Sequence, residues 1–166
     1  MTGVFTDLFG PGGPLARSLP GYGPRPEQVQ MAEYVAAALD ARETLVVEAG
    51  TGTGKTFAYL VPALQSGGKV IVSTGTKTLQ DQLFNKDLPM VRAALAAPAR
   101  IALLKGRANY VCPYHLNRAL EQAYARGMRR EVATALPKVR AWSHVTKRGD
   151  IAELPGLGEG DPVWPW

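Results

Sequence analysis

A glycine-rich stretch constrains this sequence more than any other feature. Residues 44–56 read TLVVEAGTGTGKT, a short β-branched apolar run followed by three glycines, the last of which begins Gly-Lys-Thr. The end of the stretch matches G-x-x-x-x-G-K-[ST], with Ala49 in place of the first glycine. Because glycine lacks a Cβ, successive N–H groups can converge on phosphate oxygens at the start of the following helix. The stretch therefore predicts a phosphate-binding loop between a strand and a helix.

Each part of this loop has an expected role. Lys55 is expected to reach the β- and γ-phosphates of a nucleotide, and the Thr56 hydroxyl to bind Mg²⁺. The nucleotide-binding residues are expected to be Ala49, Gly50, Thr51, Gly52, Thr53, Gly54, Lys55 and Thr56. A glycine-rich turn that binds nothing is the alternative, which the strand before the loop and the helix after it disfavour.

Composition sets broad limits. A chain of 166 residues that is 46% apolar can form one globular domain with a core. Its net charge of +5 is compatible with a polyanionic partner, although many basic proteins bind none. One cysteine excludes an internal disulfide framework, and no apolar run approaches a membrane span. These features predict a soluble cytoplasmic protein.

Hydrophobic periodicity predicts alternating strands and helices. The expected helices are 26–41, 55–65 and 76–95, the last interrupted at Pro89, and the expected strands are the apolar run before the loop, 69–73 and 100–104. This alternation is typical of a parallel sheet with right-handed crossovers. Residues 1–24 are dense in glycine and proline, which predicts a loosely packed lead-in.

The character of the sequence changes after Gly106. Residues 113–148 have a helical pattern, and from 126 to 148 the bases Arg126, Arg129, Arg130, Lys138, Arg140, Lys147 and Arg148 occur with one acid, Glu131. A solvated helix face and a nucleic-acid surface are both compatible with this charge. The acidic tail 149–166 is expected to be a loop whose apolar end packs against the rest of the chain.

Nucleotide hydrolysis needs a strand-end acid for the metal and a group that positions water. No apolar run ends in Asp-Glu; Glu48 is either a polar strand-end residue or a contact near the metal. We therefore expect this chain to bind nucleotide but to hydrolyse it poorly.

Hydroxyl side chains crowd the start of the third helix. Helix capping accounts for one or two of them, and the remainder are groups that hold nucleic-acid phosphates. The candidate DNA-contacting residues are Ser73, Thr74, Thr76, Lys77 and Gln80.

Four blocks together carry a family resemblance: RPEQ at 25–28, VVEAGTGTGKT, VIVSTGTKTLQDQL and LLKGRANYVC. In this order and spacing they resemble the N-terminal quarter of the XPD-like iron–sulfur DNA helicases of the bacterial DinG/YoaA branch. The resemblance implies that Gln28 reads the adenine edge beside Arg25, and that residues 73–82 track single-stranded DNA. It also places Cys112 at the first of four cysteine ligands of a [4Fe–4S] cluster. The other three are absent from this sequence, and by itself Cys112 would suit a small buried hydrophobe.

The resemblance implies an α/β fold with a partial RecA-like sheet and three regions: a lead-in (1–24), the N-terminal part of an ATP-binding domain (25–106) and a truncated iron–sulfur insertion (107–166). The implied parent is a cytoplasmic, nucleoid-associated ATP-dependent 5′-to-3′ helicase in DNA repair or replication rescue. It would use ATP and Mg²⁺, bind single-stranded or forked DNA and no membrane, and associate with a replisome accessory subunit. The alternative is a stand-alone nucleotide-binding or partner-docking module. His115 and His144 are expected at the surface, and Trp142 in core packing or, less simply, in base stacking.

Overall fold

The computed structural model describes residues 3–125, 129–158 and 160–164. The chain divides into two compact units, Met1–Leu103 and Leu104–Trp166.

Helices dominate the described part of the first unit. They are α1 (Val4–Phe9), α2 (Pro14–Ser18), α3 (Pro26–Ala41), α4 (Lys55–Gln65), α5 (Lys77–Gln82), a π-helical turn (Leu83–Asp87) and α6 (Leu88–Ala94). The helices predicted at 26–41 and 55–65 are confirmed at both ends. Proline at the first position of α3 and glycine with φ 66° after α4, at Gly67, explain why these ends could be located.

The core of this unit joins the N-terminal helices to α3, α4 and α6. Its buried side chains are Phe5, Phe9, Leu15, Leu19, Ala32, Leu60, Val61, Leu83 and Val91. The expectation that residues 1–24 pack loosely is therefore wrong. Large apolar side chains between the glycines and prolines bury against the later helices, and this burial outweighs the weak local signal for helix.

Glycine permits the tight packing of the N-terminal segment. A Cβ on Gly13 would lie 2.3 Å from the Asp7 carbonyl oxygen and 2.5 Å from that of Leu8. Only a residue without a side chain allows α2 to begin this close to the end of α1. A glycine of the kind that suggested a loosely packed lead-in is thus required for its compact fold.

The third predicted helix, 76–95, forms without an interruption at Pro89. Proline lies in the first turn of α6, and the backbone N–H of Leu88 donates to the Leu83 carbonyl, five residues earlier. A proline lacks the N–H that an α-helix needs, and a π-turn just before it accommodates the loss without ending the helix.

The predicted sheet is not confirmed, because no β-strand forms in the described ranges. The apolar run before the loop and the segments 69–73 and 100–104 are irregular backbone. Their apolar side chains face solvent: Val46 is 90% exposed, Ile71 94% and Leu104 82%. A strand makes no hydrogen bonds within itself, and a parallel sheet is stable only when neighbouring strands and flanking helices cover it. A strand-like composition does not by itself supply the partners that pairing needs.

The second unit is built on two helices, α7 (Pro113–Ala125) and α8 (Arg130–Ser143), with single 3₁₀ turns at Arg107–Asn109 and Ile151–Glu153. Its core contains Leu116, Ala119, Val132, Ala135, Leu136, Val139, Leu154 and Val163. Trp142 and Trp164 pack against this core, as expected for Trp142 and for the apolar tail. Pro165 and Trp166 lie outside the described residues.

An extended segment of the second unit pairs with the tail. Tyr110 forms an isolated antiparallel bridge with Asp150, and the Val111 N–H donates to the Gly149 carbonyl at 2.8 Å. The Lys105 ammonium lies 2.9 Å from the Asp150 carboxylate, with both side chains at least nine-tenths buried. Among the described residues, no helix combines the length and apolar character needed to cross a membrane.

Candidate nucleotide site

The glycine-rich loop leads directly into α4. Gly52 and Gly54 both have φ 80°, a left-handed conformation that side chains disfavour, and α4 begins at Lys55. Around Gly50 and Gly52 there is nothing within 4 Å of the position that a Cβ would occupy, so one side of the loop is open. This geometry fits the predicted cradle, in which amides at a helix N-terminus face an anion.

The Lys55 ammonium lies against the loop itself. Its Nζ donates to the carbonyl oxygens of Ala49 and Gly50, each at 2.6 Å, and the Thr53 hydroxyl donates to Gly50 at 3.0 Å. These bonds hold a positive charge inside the turn of the loop. Phosphate oxygens are stronger acceptors for an ammonium than neutral carbonyls, so the same charge is placed to exchange partners with an anion.

Packing of α4 fixes the position of the loop's last residues. Ala58, Leu60, Val61 and Pro62 are buried, so the first turn of α4, with Lys55 and Thr56, is anchored by the core. Burial raises the pKa of Tyr59 above 10.0; the Thr56 hydrogen bond opposes this shift and the Asp87 charge adds to it.

Gln28 occupies a different place from the one its predicted role suggests. Its side chain is 1% exposed, and its Nε2 donates to the Gly54 carbonyl at 2.9 Å. Its Oε1 accepts from the Tyr22 hydroxyl at 2.9 Å. The amide is therefore bonded to the end of the phosphate loop at one atom and to the N-terminal segment at the other.

Arg25 lies at the mouth of a cavity. The cavity has a volume of about 830 Å³ and is lined by Phe9, Pro24, Arg25, Glu27 and Val29, among others. The arginine Nη1 also approaches the end of the phosphate loop, 3.5 Å from where a Cβ of Gly54 would lie. Of the two residues predicted for the base, Arg25 is the exposed one.

The segment 73–82 supplies a cap and a short helix. The Thr76 hydroxyl accepts from the Leu79 N–H at 3.3 Å at the N-cap of α5, and the Thr74 hydroxyl donates to the Thr76 carbonyl at 3.2 Å. Capping thus accounts for one of the hydroxyls, as the sequence allowed. Ser73 and Lys77 are exposed, and Gln80 is partly so.

Cys112 is exposed and lies between the bridged residue Tyr110 and the start of α7. In the ranges that the structure covers, no group of three or more His, Cys, Asp or Glu side chains could hold a metal ion. The exposed cysteine does not fit the buried small hydrophobe that was its alternative.

Of the bases predicted in the run 126–148, those that the structure describes are exposed: Arg129, Arg130, Lys138, Arg140, Lys147 and Arg148. Arg148 forms an ion pair with Glu153. Arg126 lies outside the described residues. His144 is exposed at the end of α8, and the exposed His115 makes an edge contact with the Tyr114 ring.

Sequence reasoning missed three polar side chains of the first unit that the structure places in or beside its core. Tyr22 was hidden in a glycine- and proline-rich stretch, while Tyr59 and Asp87 were interpreted as parts of helix patterns. Asp87 is 5% exposed and accepts a hydrogen bond from Gln82 at 3.1 Å. The sequence shows an aspartate at position 87 within a helical stretch. It does not show that this turn of the helix faces the core.

The region that contains the phosphate loop is similar to a known family. Residues 27–108 match the family model for DEAD/DEAH box helicases. The match covers the phosphate loop, Gln28 and the 73–82 segment.

Individual relatives extend the match along most of the chain. The chain is 50% identical to the ATP-dependent DNA helicase YoaA of Haemophilus influenzae and 48% identical to that of Escherichia coli, over 96% of its own length in each case. It is 34% identical to the 3′-5′ exonuclease DinG of Bacillus subtilis over 90% of its length. The predicted resemblance to the DinG/YoaA branch is confirmed.

The chain spans about a quarter of the length of the two YoaA relatives and 16% of the DinG relative. No solved structure matched the chain.

Proposed function

We propose that this chain is the N-terminal, ATP-binding part of an ATP-dependent DNA helicase that moves 5′ to 3′ and acts in repair or replication rescue. The observation that carries the proposal is the phosphate loop: left-handed Gly52 and Gly54 lead into α4, and the Lys55 ammonium is held within the turn. The two YoaA relatives are ATP-dependent DNA helicases, which supports a helicase function for the parent of this chain. The exonuclease activity in the DinG name describes that protein, of which this chain covers 16%.

The loop residues have assigned roles in this proposal. The amides of residues 50–56 hold the β- and γ-phosphates, and Lys55 leaves the carbonyls of Ala49 and Gly50 to bind them. The Thr56 hydroxyl binds Mg²⁺. The metal, when bound, neutralises charge on the phosphates. Binding is the step this chain performs; the acid and water-positioning group for hydrolysis belong to the rest of the helicase.

The adenine base is proposed to lie in the cavity beside Arg25. The guanidinium stacks on the base or borders it, and the cavity is near enough to the loop for Arg25 to approach Gly54. Gln28 is proposed to read the adenine edge with its second N–H and the second lone pair of its oxygen, so that its bonds to Gly54 and Tyr22 stay in place.

The DNA strand is proposed to follow residues 73–82, with Ser73, Thr74, Thr76, Lys77 and Gln80 at its phosphates. The exposed bases of α8 and the loop after it, such as Lys138 and Arg140, supply a second basic surface in the second unit. Single-stranded or forked DNA is the expected substrate, and a replisome accessory subunit is a further proposed partner.

The three exposed apolar segments are proposed to be strands of a RecA-like parallel sheet. Val46, Ile71 and Leu104 are more than four-fifths exposed. In a parallel sheet, neighbouring strands pair with such segments and flanking helices cover their apolar side chains. In the longer protein we propose that residues 25–106 form the start of the ATP-binding domain, with 1–24 as its lead-in. Residues 107–166 then begin an iron–sulfur insertion, with Cys112 as one of four cluster ligands.

Nucleotide binding by the chain tests the first step. A fluorescent ATP analogue is titrated with Mg²⁺ against the wild type, Lys55→Ala and, as a matched control, Lys69→Ala, which removes an exposed lysine outside the loop. Loss of a charge-assisted bond predicts about ten- to hundredfold weaker binding for Lys55→Ala and no change for Lys69→Ala. Equal affinities in all three would contradict the proposal.

Strand separation tests the rest in the longer helicase. Duplexes with a 5′ or a 3′ single-stranded tail are offered with ATP, and unwinding is expected only with the 5′ tail and only with Lys55 intact. A protein that binds ATP and an accessory subunit but separates neither duplex would support the docking module instead.

A further inference from the structure

Hydrogen bonds to a single carbonyl join the phosphate loop to α4. Gly54 is the residue at which the loop ends, and its carbonyl accepts from the N–H groups of Phe57 and Ala58 in the first turn of α4. The same carbonyl accepts from Gln28 Nε2 at 2.9 Å. A Cβ on Gly54 would lie 2.1 Å from that nitrogen, so Gln28 is pressed directly against the turn.

Hydrogen-bond chemistry fixes the direction of the Gln28 amide. The Gly54 carbonyl can only accept, so the amide nitrogen must face it and the amide oxygen must point away. That oxygen lies 2.9 Å from the Tyr22 hydroxyl, which can donate to it. Tyr22 is therefore the group that satisfies the buried end of the amide while the other end holds the loop.

Tyr22 is itself tied to the N-terminal segment. Its hydroxyl lies 3.2 Å from the carbonyl of Phe9, whose side chain is fully buried at the end of α1. One hydroxyl proton serves both acceptors, and the shorter distance favours Gln28. Burial raises the pKa of Tyr22, so the hydroxyl keeps its proton and remains a donor across the neutral range.

We propose that Tyr22 is a positioning residue for nucleotide binding, acting on the phosphate loop through Gln28. Its hydroxyl orients the Gln28 amide, and the amide holds the Gly54 carbonyl, so that the N–H groups of Lys55 and Thr56 keep the direction a triphosphate needs. This inference rests on the proposed nucleotide site. It differs from a role at the base because both hydrogen bonds are directed at the loop rather than at the cavity beside Arg25.

The base-free probe is inorganic tripolyphosphate, compared with ATP, each with Mg²⁺. Tyr22→Phe removes only the hydroxyl and keeps the ring, while Tyr34→Phe is the control, since the exposed Tyr34 hydroxyl meets only Gln30 on its own helix at 3.5 Å. Loss of one neutral hydrogen bond predicts a three- to tenfold weaker affinity of Tyr22→Phe for both probes. Tyr34→Phe is expected to bind both as the wild type does.

A second variant separates positioning from general loosening of the fold. Gln28→Met removes the amide, and on that background Tyr22→Phe is expected to have no further effect on either affinity, because the hydroxyl has lost the group through which it acts. Losses that add in the double variant would show an independent structural role and overturn the proposal. The free energy of unfolding in urea is measured beside each affinity to confirm that every variant is folded.

Two further outcomes are decisive. If Tyr22→Phe weakens ATP but leaves tripolyphosphate within twofold of the wild type, the hydroxyl acts at the base and the proposal is overturned. If the wild type binds neither probe, the proposed function fails and this inference fails with it, whereas binding that depends on Lys55 but not on Tyr22 removes this inference alone.

Discussion

The helices of the first unit and the apolar segments between them have equally clear sequence patterns but opposite outcomes. On α4, Leu60 and Val61 are almost completely buried, whereas Val46 and Ile71, in runs just as apolar, are at least nine-tenths exposed. A helix satisfies its backbone within itself and needs only one covered face. A strand needs partners on its edges and cover on its faces. Apolar sequence thus produces burial only where the described chain supplies the partner.

A third segment shows what happens when a partner is present. The residues on either side of the 3₁₀ turn Arg107–Asn109 also lie outside the α-helices, yet Tyr110 and Val111 bond to the tail and Lys105 pairs with Asp150. The partner residues lie about forty positions further along the chain. Extended segments are therefore not inherently exposed in this molecule, and the difference can be tested by removing or comparing the partners.

The largest effect is expected from Asp150→Asn. It leaves the Lys105 ammonium buried beside a neutral amide and is expected to lower the free energy of unfolding of the second unit by about 3–5 kcal/mol. Urea unfolding, followed by fluorescence, measures the change. The double variant Lys105→Met with Asp150→Leu should recover most of the loss, because no buried charge remains. A stability unchanged by Asp150→Asn would mean that the tail does not hold the extended segment in solution.

A smaller effect sharpens the contrast within the first unit. Leu60→Ala, in the core, is expected to cost about 2–5 kcal/mol, and Ile71→Ala, fully exposed, to stay within about 0.5 kcal/mol of the wild type. Urea unfolding of both variants decides the matter. Equal losses of unfolding free energy would show that Ile71 is buried in solution. The contrast between buried helix residues and exposed segments would then not hold. In the longer helicase, where we propose that Ile71 lies in a sheet, Ile71→Ala should become destabilising.

The sequence predicted those features whose cause is local. The start of α3 followed from Pro26 and the end of α4 from Gly67, and the tight turn before α4 followed from glycines, of which Gly52 and Gly54 have left-handed φ. The capping role allowed for the hydroxyl cluster was met by Thr76. In each case the deciding interaction joins residues a few positions apart.

The features that sequence could not predict depend on distant partners. Nothing near Tyr22 indicates that its hydroxyl meets Gln28, or near Gln28 that its amide meets Gly54, 26 residues later. The compact N-terminal segment was missed for the same reason: the burial of Phe5 and Phe9 depends on helices far along the chain. Pairing of the exposed segments is the remaining case, because composition shows which residues suit a strand but not what lies beside them.

The smallest expected effect is on the pH dependence of the free energy of unfolding, and it arises from Tyr59 on the packed helix α4. Burial, with a contribution from the Asp87 charge, raises the pKa of Tyr59 above 10.0, and the Thr56 hydrogen bond only partly offsets this. In the unfolded chain Tyr59 ionises at its ordinary pKa, while in the folded chain it resists ionisation. The stability that this neutral tyrosine provides is therefore fully present below pH 10 and is lost as the pH rises through the raised value.

Tyr59→Phe tests this, because phenylalanine cannot ionise. The free energy of unfolding in urea, measured from about pH 9 upward, is expected to fall less steeply in the variant than in the wild type. Tyr22→Phe should flatten the curve as well, since burial raises the pKa of Tyr22, and the double variant should be flatter than either. Identical slopes in the wild type and Tyr59→Phe would place Tyr59 in contact with solvent, and the first turns of α4 would then be less firmly packed than the burial of Leu60 and Val61 requires.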